Sequence, residues 1–444
     1  MNETSTGNRR EFLVRGTGTA LAAGTAATLA GVHTSAAAEK GETLRLALIG
    51  CGGRGSGLLG TLLRGNSPVS FGWLCDVNPA SIEARAGQVD GHQAAAPQRT
   101  SRYEDVMADK NVDAVIIATP HHWHAPIGMA ALMSGKDAYI EKPISHVYSE
   151  GEQIVAAAKK YGRIVQQGTQ MRSSPVTLQA EKLLREGIIG EVKVARAWTA
   201  ELRRLIPPVA DSPAPEGVDW DRWLGPAPQR PFNRQRFAPS WRYFRDYGNG
   251  EIGDDGIHDI DMARWGLGDP VNPVKITARG SRMMLKGQFG DFPDNMNVTY
   301  EYPDGRLLVY ENYPFTAYGM HGFNNGNIFY GTTGYMVFSR RGAFTVYLGQ
   351  KGKKGPTETK DSRSNLGLAD HLEDFLQAVR MRTQPRASAE VAHHSCALVH
   401  LGEIAFRTNG QLEFDAQAVE FAGCDEANEL LTKNYREPYR FPTF

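Results

Sequence analysis

Apolar residues recur along the chain in short, regularly spaced blocks. Leu44-Arg45-Leu46-Ala47-Leu48-Ile49 alternates and then runs continuously apolar, the pattern of a strand buried in a parallel sheet. Val69–Cys75, Val112–Thr119 and Ala138–Ile140 repeat it. Helical stretches lie between them, from Ser56 through Leu62 and Leu63, and from Ile127 to Ser134 with Gly135 at its end. Alternating strand and helix predicts βαβ units and a parallel sheet with ligands at its carboxyl edge. After Tyr161 the rhythm changes. Strands are predicted at Val192–Trp198, Ile276–Arg279, Val298–Tyr302, Leu307–Tyr310, Phe329–Phe338 and Phe344–Leu348. Asp304-Gly305 between two of them is a hairpin signal, so this sheet should be mainly antiparallel, with one face free of helices. Leu372, Phe375, Leu376 and Val379 give Leu368–Met381 a helical spacing, and a second helix near Val391–Phe406 should pack with it. Pro-rich Asp211–Pro231 reads as a loop over the surface, and Gly349–Ser364 as a polar, Lys-rich excursion.

The expected fold class is therefore an α/β Rossmann dinucleotide-binding domain, residues 39–160, followed by an α+β domain, residues 161–444, with an open, mainly antiparallel sheet. Residues 1–38 read as an address. Arg9-Arg10 precedes Phe12-Leu13, a weakly apolar Ala/Gly/Thr stretch runs from Gly16 to Val32, and Ala36-Ala37-Ala38 supplies small residues for cleavage. This resembles a twin-arginine export signal. Such routes carry folded proteins, often with cofactor in place, so a bacterial periplasmic location is expected, with no membrane association after cleavage.

With 49 basic and 49 acidic residues, charge offers no reason to expect a nucleic-acid partner. Four Cys in 444 residues cannot make a disulfide scaffold. Cys51 and Cys75 would end neighbouring strands, but a bridge there would crowd the loop between them. Cys396 and Cys424 read as small core residues.

Gly50-Cys51-Gly52-Gly53-Arg54-Gly55 is G-x-G-x-x-G between a strand and a helix. The first Gly permits a tight turn, the second lets backbone approach a pyrophosphate, and the third packs helix on strand. The helix N-terminus supplies free N–H groups. Asp76, at the end of the second strand, is the candidate acceptor for ribose hydroxyls and would repel a 2′-phosphate, favouring NAD. Arg54 keeps NADP as the alternative.

Further motifs make the pattern specific: Thr119-Pro120 with His124, Glu141-Lys142-Pro143, Gln167-Gly168-Thr169-Gln170, and Gly253-Asp254-Asp255-Gly256-Ile257-His258-Asp259-Ile260-Asp261. With the glycine loop, they resemble the glucose–fructose oxidoreductase / inositol dehydrogenase (Gfo/Idh/MocA) family across the whole mature chain. Pro215-Glu216-Gly217-Val218-Asp219-Trp220-Asp221-Arg222-Trp223-Leu224-Gly225-Pro226 resembles its exported bacterial branch. The resemblance implies catalytic roles for Lys142, Asp254 and His258. Lys142 would polarise the reacting oxygen, His258 would move the hydroxyl proton, and Asp254 would orient the imidazole or bind substrate. The chemistry agrees: hydroxyl oxidation needs a proton acceptor that works near neutral pH and a cation beside the forming alkoxide. An i, i+4 spacing would put Asp254 and His258 on one helix face, with Phe244–Glu251 as a mobile lead-in. The expected cofactor contacts are Gly50, Gly52, Gly53, Arg54, Gly55, Asp76, Thr119, Pro120, His121, His124, Glu141, Lys142 and Gln170. Arg172 joins the three catalytic residues as a substrate contact. The resemblance also implies homo-oligomers through the open sheet face, where Tyr300, Tyr302, Tyr310 and Tyr313 suit an interface or a sugar-binding wall.

His121-His122-Trp123-His124 invites a metal, but a loop over the cofactor explains it better, and no metal is expected. His393-His394 and Asp261 read as structural. Asp254 could instead cap the helix running to Trp265. The expected activity is NAD(P)-dependent hydride transfer from a sugar or cyclitol hydroxyl to a tightly held cofactor. The rival within the fold is redox-neutral glycoside cleavage by oxidation, elimination and reduction, as in NAD-dependent α-N-acetylgalactosaminidases. It would need an extra base, for which Tyr318, His321 and His124 are candidates. A reading from another class is an idle sugar-binding protein that keeps NAD as structure.

Overall fold

The computed structural model describes residues 42–444 apart from 238, 360–365 and 409. The export segment, residues 1–38, lies outside the described residues.

Six parallel strands form the first sheet: β1 (Leu44–Ile49), β2 (Val69–Cys75), β3 (Gln98–Thr100), β4 (Ala114–Ile117), β5 (Asp137–Ile140) and β6 (Val165–Gln167). Their order is β3-β2-β1-β4-β5-β6. The order reverses between β1 and β4, which is where a doubly wound sheet opens a ligand crevice. β1 and β4 are buried along nearly their whole length, as their unbroken apolar runs require. β6 lies beyond residue 160, so the first sheet reaches past the expected boundary.

The ten-stranded second sheet comprises β7 (Val192–Thr199), β8 (Lys275–Ser281), β9 (Asn295–Glu301), β10 (Leu307–Asn312), β11 (Asn325–Gly331), β12 (Gly334–Ser339), β13 (Ala343–Leu348), β14 (Lys353–Glu358), β15 (Gln411–Asp415) and β16 (Glu420–Phe421). Its order is β14-β13-β12-β11-β7-β10-β9-β8-β15-β16, antiparallel except where β10 lies parallel to β7. The Asp304-Gly305 hairpin joins β9 to β10, with Gly305 at φ +81°. Several expectations are corrected. Phe329–Phe338 is not one strand: it turns at Thr332-Thr333, dividing β11 from β12. The excursion after Gly349 contributes β14.

Helices Ile257–Gly266 and Ala389–Arg407 cover one face of this sheet. The side chains of Tyr300, Tyr302 and Tyr310 point into this buried layer, and Tyr300 donates to the Leu398 carbonyl at 2.6 Å. They therefore form neither an outer interface nor a sugar wall. The opposite face carries Trp198, the Arg196–Glu311 ion pair, and Tyr335 stacked on Tyr347 with centroids 4.6 Å apart. Helix Leu368–Met381 does not pack into the core of its expected partner. Leu372, Phe375, Leu376 and Val379 join Leu58, Leu59, Ile116 and Tyr139 in the first domain's core. Helix Ala389–Arg407 instead spans both domains, touching helix Tyr148–Tyr161 and β8. Among the described residues, no helix is long and apolar enough to cross a membrane.

Candidate active site

A cavity of about 1020 Å³ lies along the carboxyl edge of the first sheet. The glycine loop forms its floor. Gly50, at φ +95°, has room only for hydrogen, since a Cβ would stand 2.6 Å from the Ala118 carbonyl. A Cβ on Gly55 would meet Gly50 O at 2.0 Å, so Gly55 makes the turn rather than lining the cavity. Gly52 and Gly53 differ. Both line the cavity, and a Cβ on either would meet no protein atom within 4 Å. The space kept clear there is a cradle against bare backbone. Helix Gly53–Leu63 starts at this point with no side-chain cap, leaving its first N–H groups without intrahelical acceptors.

Asp76 is pinned at one end of the cavity. Its Oδ2 accepts from Cys51 N at 2.7 Å and its Oδ1 from Asn78 N at 2.8 Å. Burial pushes its carboxyl upward against those two bonds. Arg54 turns the other way: its Nε donates to Glu141 Oε1 at 2.7 Å and its Nη2 reaches Gln170 Oε1 at 3.5 Å. Its guanidinium is committed to Glu141 and Gln170, so it is not free to read a 2′-phosphate. Bare backbone, helix N-terminus and ribose-side carboxylate together fit a dinucleotide. Cys51 and Cys75 are free thiols.

Thr119, Pro120, His121 and His124 line the cavity. They are not an exit loop. Pro120 is the N-cap of helix His121–Met133, so the His cluster forms the first helical turn. Its imidazoles serve different partners. His121 Nδ1 lies 3.1 Å from Asn249 Oδ1, and His122 Nε2 3.0 Å from the Trp223 carbonyl. His124 is held between the carbonyls of Pro143 (2.7 Å) and Thr119 (2.8 Å). Burial lowers all three from the ordinary imidazole value, His121 and His122 far below it.

At the opposite end, Lys142 leaves the tip of β5 and meets Asp254. Nζ is 2.8 Å from Asp254 Oδ1 and also donates to the Asp254 carbonyl. Arg242 Nε donates to the same Oδ1 at 2.9 Å, its guanidinium lying over Trp241. Burial alone would raise the Asp254 carboxyl; Lys142 and Arg242 more than offset it and hold it below the usual range. His258 lines the same cavity, so Lys142 and His258 face one space. Its Nδ1 is buried without a hydrogen-bond partner. Burial, then Arg340 and Lys142, keep it neutral against the pull of Asp255. Asp254 therefore does not orient the imidazole by a hydrogen bond. Nor do the two share an ordinary helix face, because Ile252–Gly256 is a π turn that passes into an α-helix only at Ile257. Gly256 caps that helix, not Asp254.

Arg172 is corrected outright. It is buried, away from the cavity, in a bidentate pair with Asp261 (2.9 Å) and a bond to Asp269 (3.1 Å). Removing one partner of such a buried pair costs roughly 3–5 kcal/mol; Arg172 is committed to Asp261 and Asp269 and does not line the cavity. Tyr318 is exposed, and neither it nor His321 lines the cavity.

Sequence reasoning missed the residues that the Pro-rich stretch and the turn after it supply to the cavity. Trp223, Phe237, Trp241 and Arg242 line the cavity opposite the glycine loop. The Trp and Arg density of that Pro-rich stretch was the available signal. It missed Arg340 and Arg203 as well, which pair with Asp255 at 3.0 and 2.6 Å. Asp255, one residue of the Gly253–Asp261 motif, is the carboxylate that these cations balance.

The family model for an oxidoreductase family with an NAD-binding Rossmann fold matches residues 44–169, and its C-terminal alpha/beta domain matches residues 198–332 and 356–441. The chain belongs to the Gfo/Idh/MocA oxidoreductase family. Its dinucleotide is NAD, the cofactor of that Rossmann domain. Levoglucosan dehydrogenase of Pseudarthrobacter phenanthrenivorans is 26% identical over 313 residues, 62% of this chain and 71% of that protein. An uncharacterized oxidoreductase, YrbE of Bacillus subtilis, is 26% identical over 248 residues; the match spans 55% of this chain and 60% of that relative. Among solved structures, aldose-aldose oxidoreductase from Caulobacter crescentus, complexed with glycerol, superposes with a TM-score of 0.65 at 20% identity. The match covers 84% of this chain and all of that one. A glycosyl hydrolase family 109 protein of Saccharopolyspora erythraea is 28% identical over 173 residues, 38% of each chain.

Proposed function

We propose that this Gfo/Idh/MocA protein oxidises a secondary hydroxyl of a sugar or cyclitol and is exported by the twin-arginine route with NAD in place. The observation that carries this is the meeting of Lys142, Asp254 and His258 in the cavity that the glycine loop and Asp76 also line. NAD held by the glycine loop and Asp76 would supply the hydride acceptor. Lys142 stabilises the charge developing on the substrate oxygen. His258, held neutral, takes the hydroxyl proton. Asp254 holds the ammonium in place against Arg242. The levoglucosan dehydrogenase relative supports a carbohydrate as substrate. The outer face of the second sheet, with Tyr330, Tyr335 and Tyr347 in a stack, supports self-association there.

The test is to purify the protein as isolated, identify any copurifying nucleotide by mass, and add a panel of sugars while following near-ultraviolet absorbance of the nicotinamide. Reduction by a sugar is the expected result. A protein that holds no nucleotide and binds none overturns the reading.

The redox-neutral glycosidase is favoured only by the family 109 relatives. Of its candidate bases, Tyr318 and His321 lie outside the cavity, and the His124 imidazole is wedged between the carbonyl oxygens of Pro143 and Thr119. Release of phenol from aryl glycosides without net reduction of nicotinamide would reverse this preference.

A further inference from the structure

The segment Asp211–Phe237 is built as a cover with its own small core. Trp223, Leu224 and Ala227 pack with Phe244 and Tyr247, separately from the cores of both sheets. The cover crosses the whole cavity. At the Asp76 end, Asp219 N donates to the Val77 carbonyl at 3.0 Å, and Arg222 pairs with Glu104 at 3.1 Å. Farther along, the Trp123 indole N–H donates to the carbonyls of Arg222 and Trp223, both at 3.1 Å. Gly225, at φ +50°, lies so close over this indole that a Cβ would stand 2.0 Å from it. The cover therefore has few bonds to the first domain compared with the length it spans.

A second piece of chain holds it down. The C-terminal segment is fixed to the first domain by Glu150, a fully buried carboxylate on helix Tyr148–Tyr161. Glu150 pairs with Lys433 Nζ at 2.8 Å and accepts from the Tyr435 hydroxyl at 2.9 Å. The next residue, Arg436, grips the cover. Its Nε donates to the carbonyls of Gly225 (2.9 Å) and Ala227 (3.1 Å). Its Nη1 and Nη2 donate to the Asp221 carboxylate (2.7 Å) and carbonyl (2.8 Å). The Tyr439 hydroxyl donates to the other Asp221 oxygen at 2.8 Å, and its ring packs edge-on to Trp123. One guanidinium thus closes four hydrogen bonds to a segment that lines the cofactor cavity, and it touches neither cavity nor catalytic residues. A planar fork with five donors is suited to this work, and an ammonium could not reproduce it.

We infer that Arg436 is a positioning residue that latches the 211–237 cover over bound NAD, so that the cofactor is retained through turnover and exchanges only when the latch opens. This rests on the NAD reading above. It deepens that reading, because a dinucleotide enclosed from both sides cannot be replaced from a dilute pool between reactions. The physical cause is a local opening equilibrium: release of NAD needs the cover to lift, and each latch bond lost raises the open fraction.

The experiment uses the full-length protein as purified, with bound nucleotide. Parent, Arg436→Ala, Arg436→Lys and Tyr439→Phe are each mixed with excess isotope-labelled NAD. Loss of unlabelled nucleotide from the protein is followed by mass, and the melting temperature of each is measured in parallel. Arg436→Ala should exchange at least tenfold faster than the parent, with Lys and Tyr439→Phe between them. Turnover per bound cofactor should be unchanged. If Arg436→Ala does not fold, Tyr439→Phe and Asp221→Asn carry the comparison, with severalfold faster exchange expected. Exchange at the parent's rate in folded variants overturns the latch and leaves the NAD reading standing. A parent that neither carries nor binds NAD overturns both.

Discussion

Lys142 Nζ stands 2.8 Å from Asp254 Oδ1, closing an ion pair between the end of a first-domain strand and a π turn in the second domain, 112 residues away. The pair is only slightly exposed, so it is a fixed feature of the cavity wall. Replacing Lys142 by Ala leaves Asp254 with Arg242 and removes the cation beside the reacting oxygen. Turnover with sugar should fall about 10²-fold or more, as for loss of other preorganised electrostatic groups. Copurifying nucleotide should persist, because the glycine loop and Asp76 are untouched. Single-turnover reduction of bound nicotinamide checks this, and undiminished turnover would remove Lys142 from the chemistry.

His258 is neutral through the physiological range, since burial, Arg340 and Lys142 all oppose its protonation. The rate of hydride transfer should therefore show no fall as pH drops through 6.5, the ordinary imidazole value. His258→Asn should lower turnover about 10²- to 10⁴-fold, the usual contribution of a general base. A pH–rate profile for parent and variant measures both. A parent acid limb centred at or above 6.5 would contradict the assignment.

Two glycines three residues apart in the motif, Gly52 and Gly55, should fail differently. A Cβ on Gly55 would collide with Gly50 O, so Gly55→Ala should destabilise or unfold the first domain. A Cβ at Gly52 meets no protein atom and intrudes only into the cavity. Gly52→Ala should keep the parent's circular dichroism and lose NAD affinity by tenfold or more, about 1.4 kcal/mol. Titration of nucleotide-free protein with NAD reads this directly.

Asp76 lines the cavity beside the glycine loop, and Arg54 donates to Glu141. Asp76→Ser should weaken NAD binding about tenfold and narrow the preference against NADP. An unchanged ratio of the two dissociation constants would show that another residue sets the choice.

Nine histidines among the described residues, eight buried and His394 half-buried, have imidazoles held below the ordinary value, burial being the leading cause for each. His371 is lowered to about 4 and His400 to about 3. Such a group stays neutral when folded but binds a proton when unfolded below pH 6.5. The unfolded state then holds more protons, so stability falls as pH falls from 6.5 toward the folded values. Near pH 5 the slope should be about 3 kcal/mol per pH unit or more, equivalent to at least two protons taken up. Denaturant melts between pH 5 and 8 test it; a flat profile would mean that these histidines are not neutral in the fold.

The sequence by itself determined the local architecture. Unbroken apolar runs placed β1, β2 and β4, and G-x-G-x-x-G placed the dinucleotide floor because each glycine there has a steric reason that any chain must obey. Asp304-Gly305 placed a hairpin for the same kind of reason. Lys142, Asp254 and His258 were legible through motifs, and they do share one cavity. What only the tertiary structure decided is who faces whom. Helical spacing could not show that Leu372 and Phe375 serve the first domain's core, since an apolar stripe fits any apolar partner. Arg172 looked like a substrate contact until Asp261 and Asp269 were seen to occupy it. The partners of Trp223 and Arg242 in the cavity, and the Arg436 latch on the cover, lie far from them in sequence. Their contacts depend on chain closure over the cavity, and ion pairs across more than a hundred residues leave no periodicity to read.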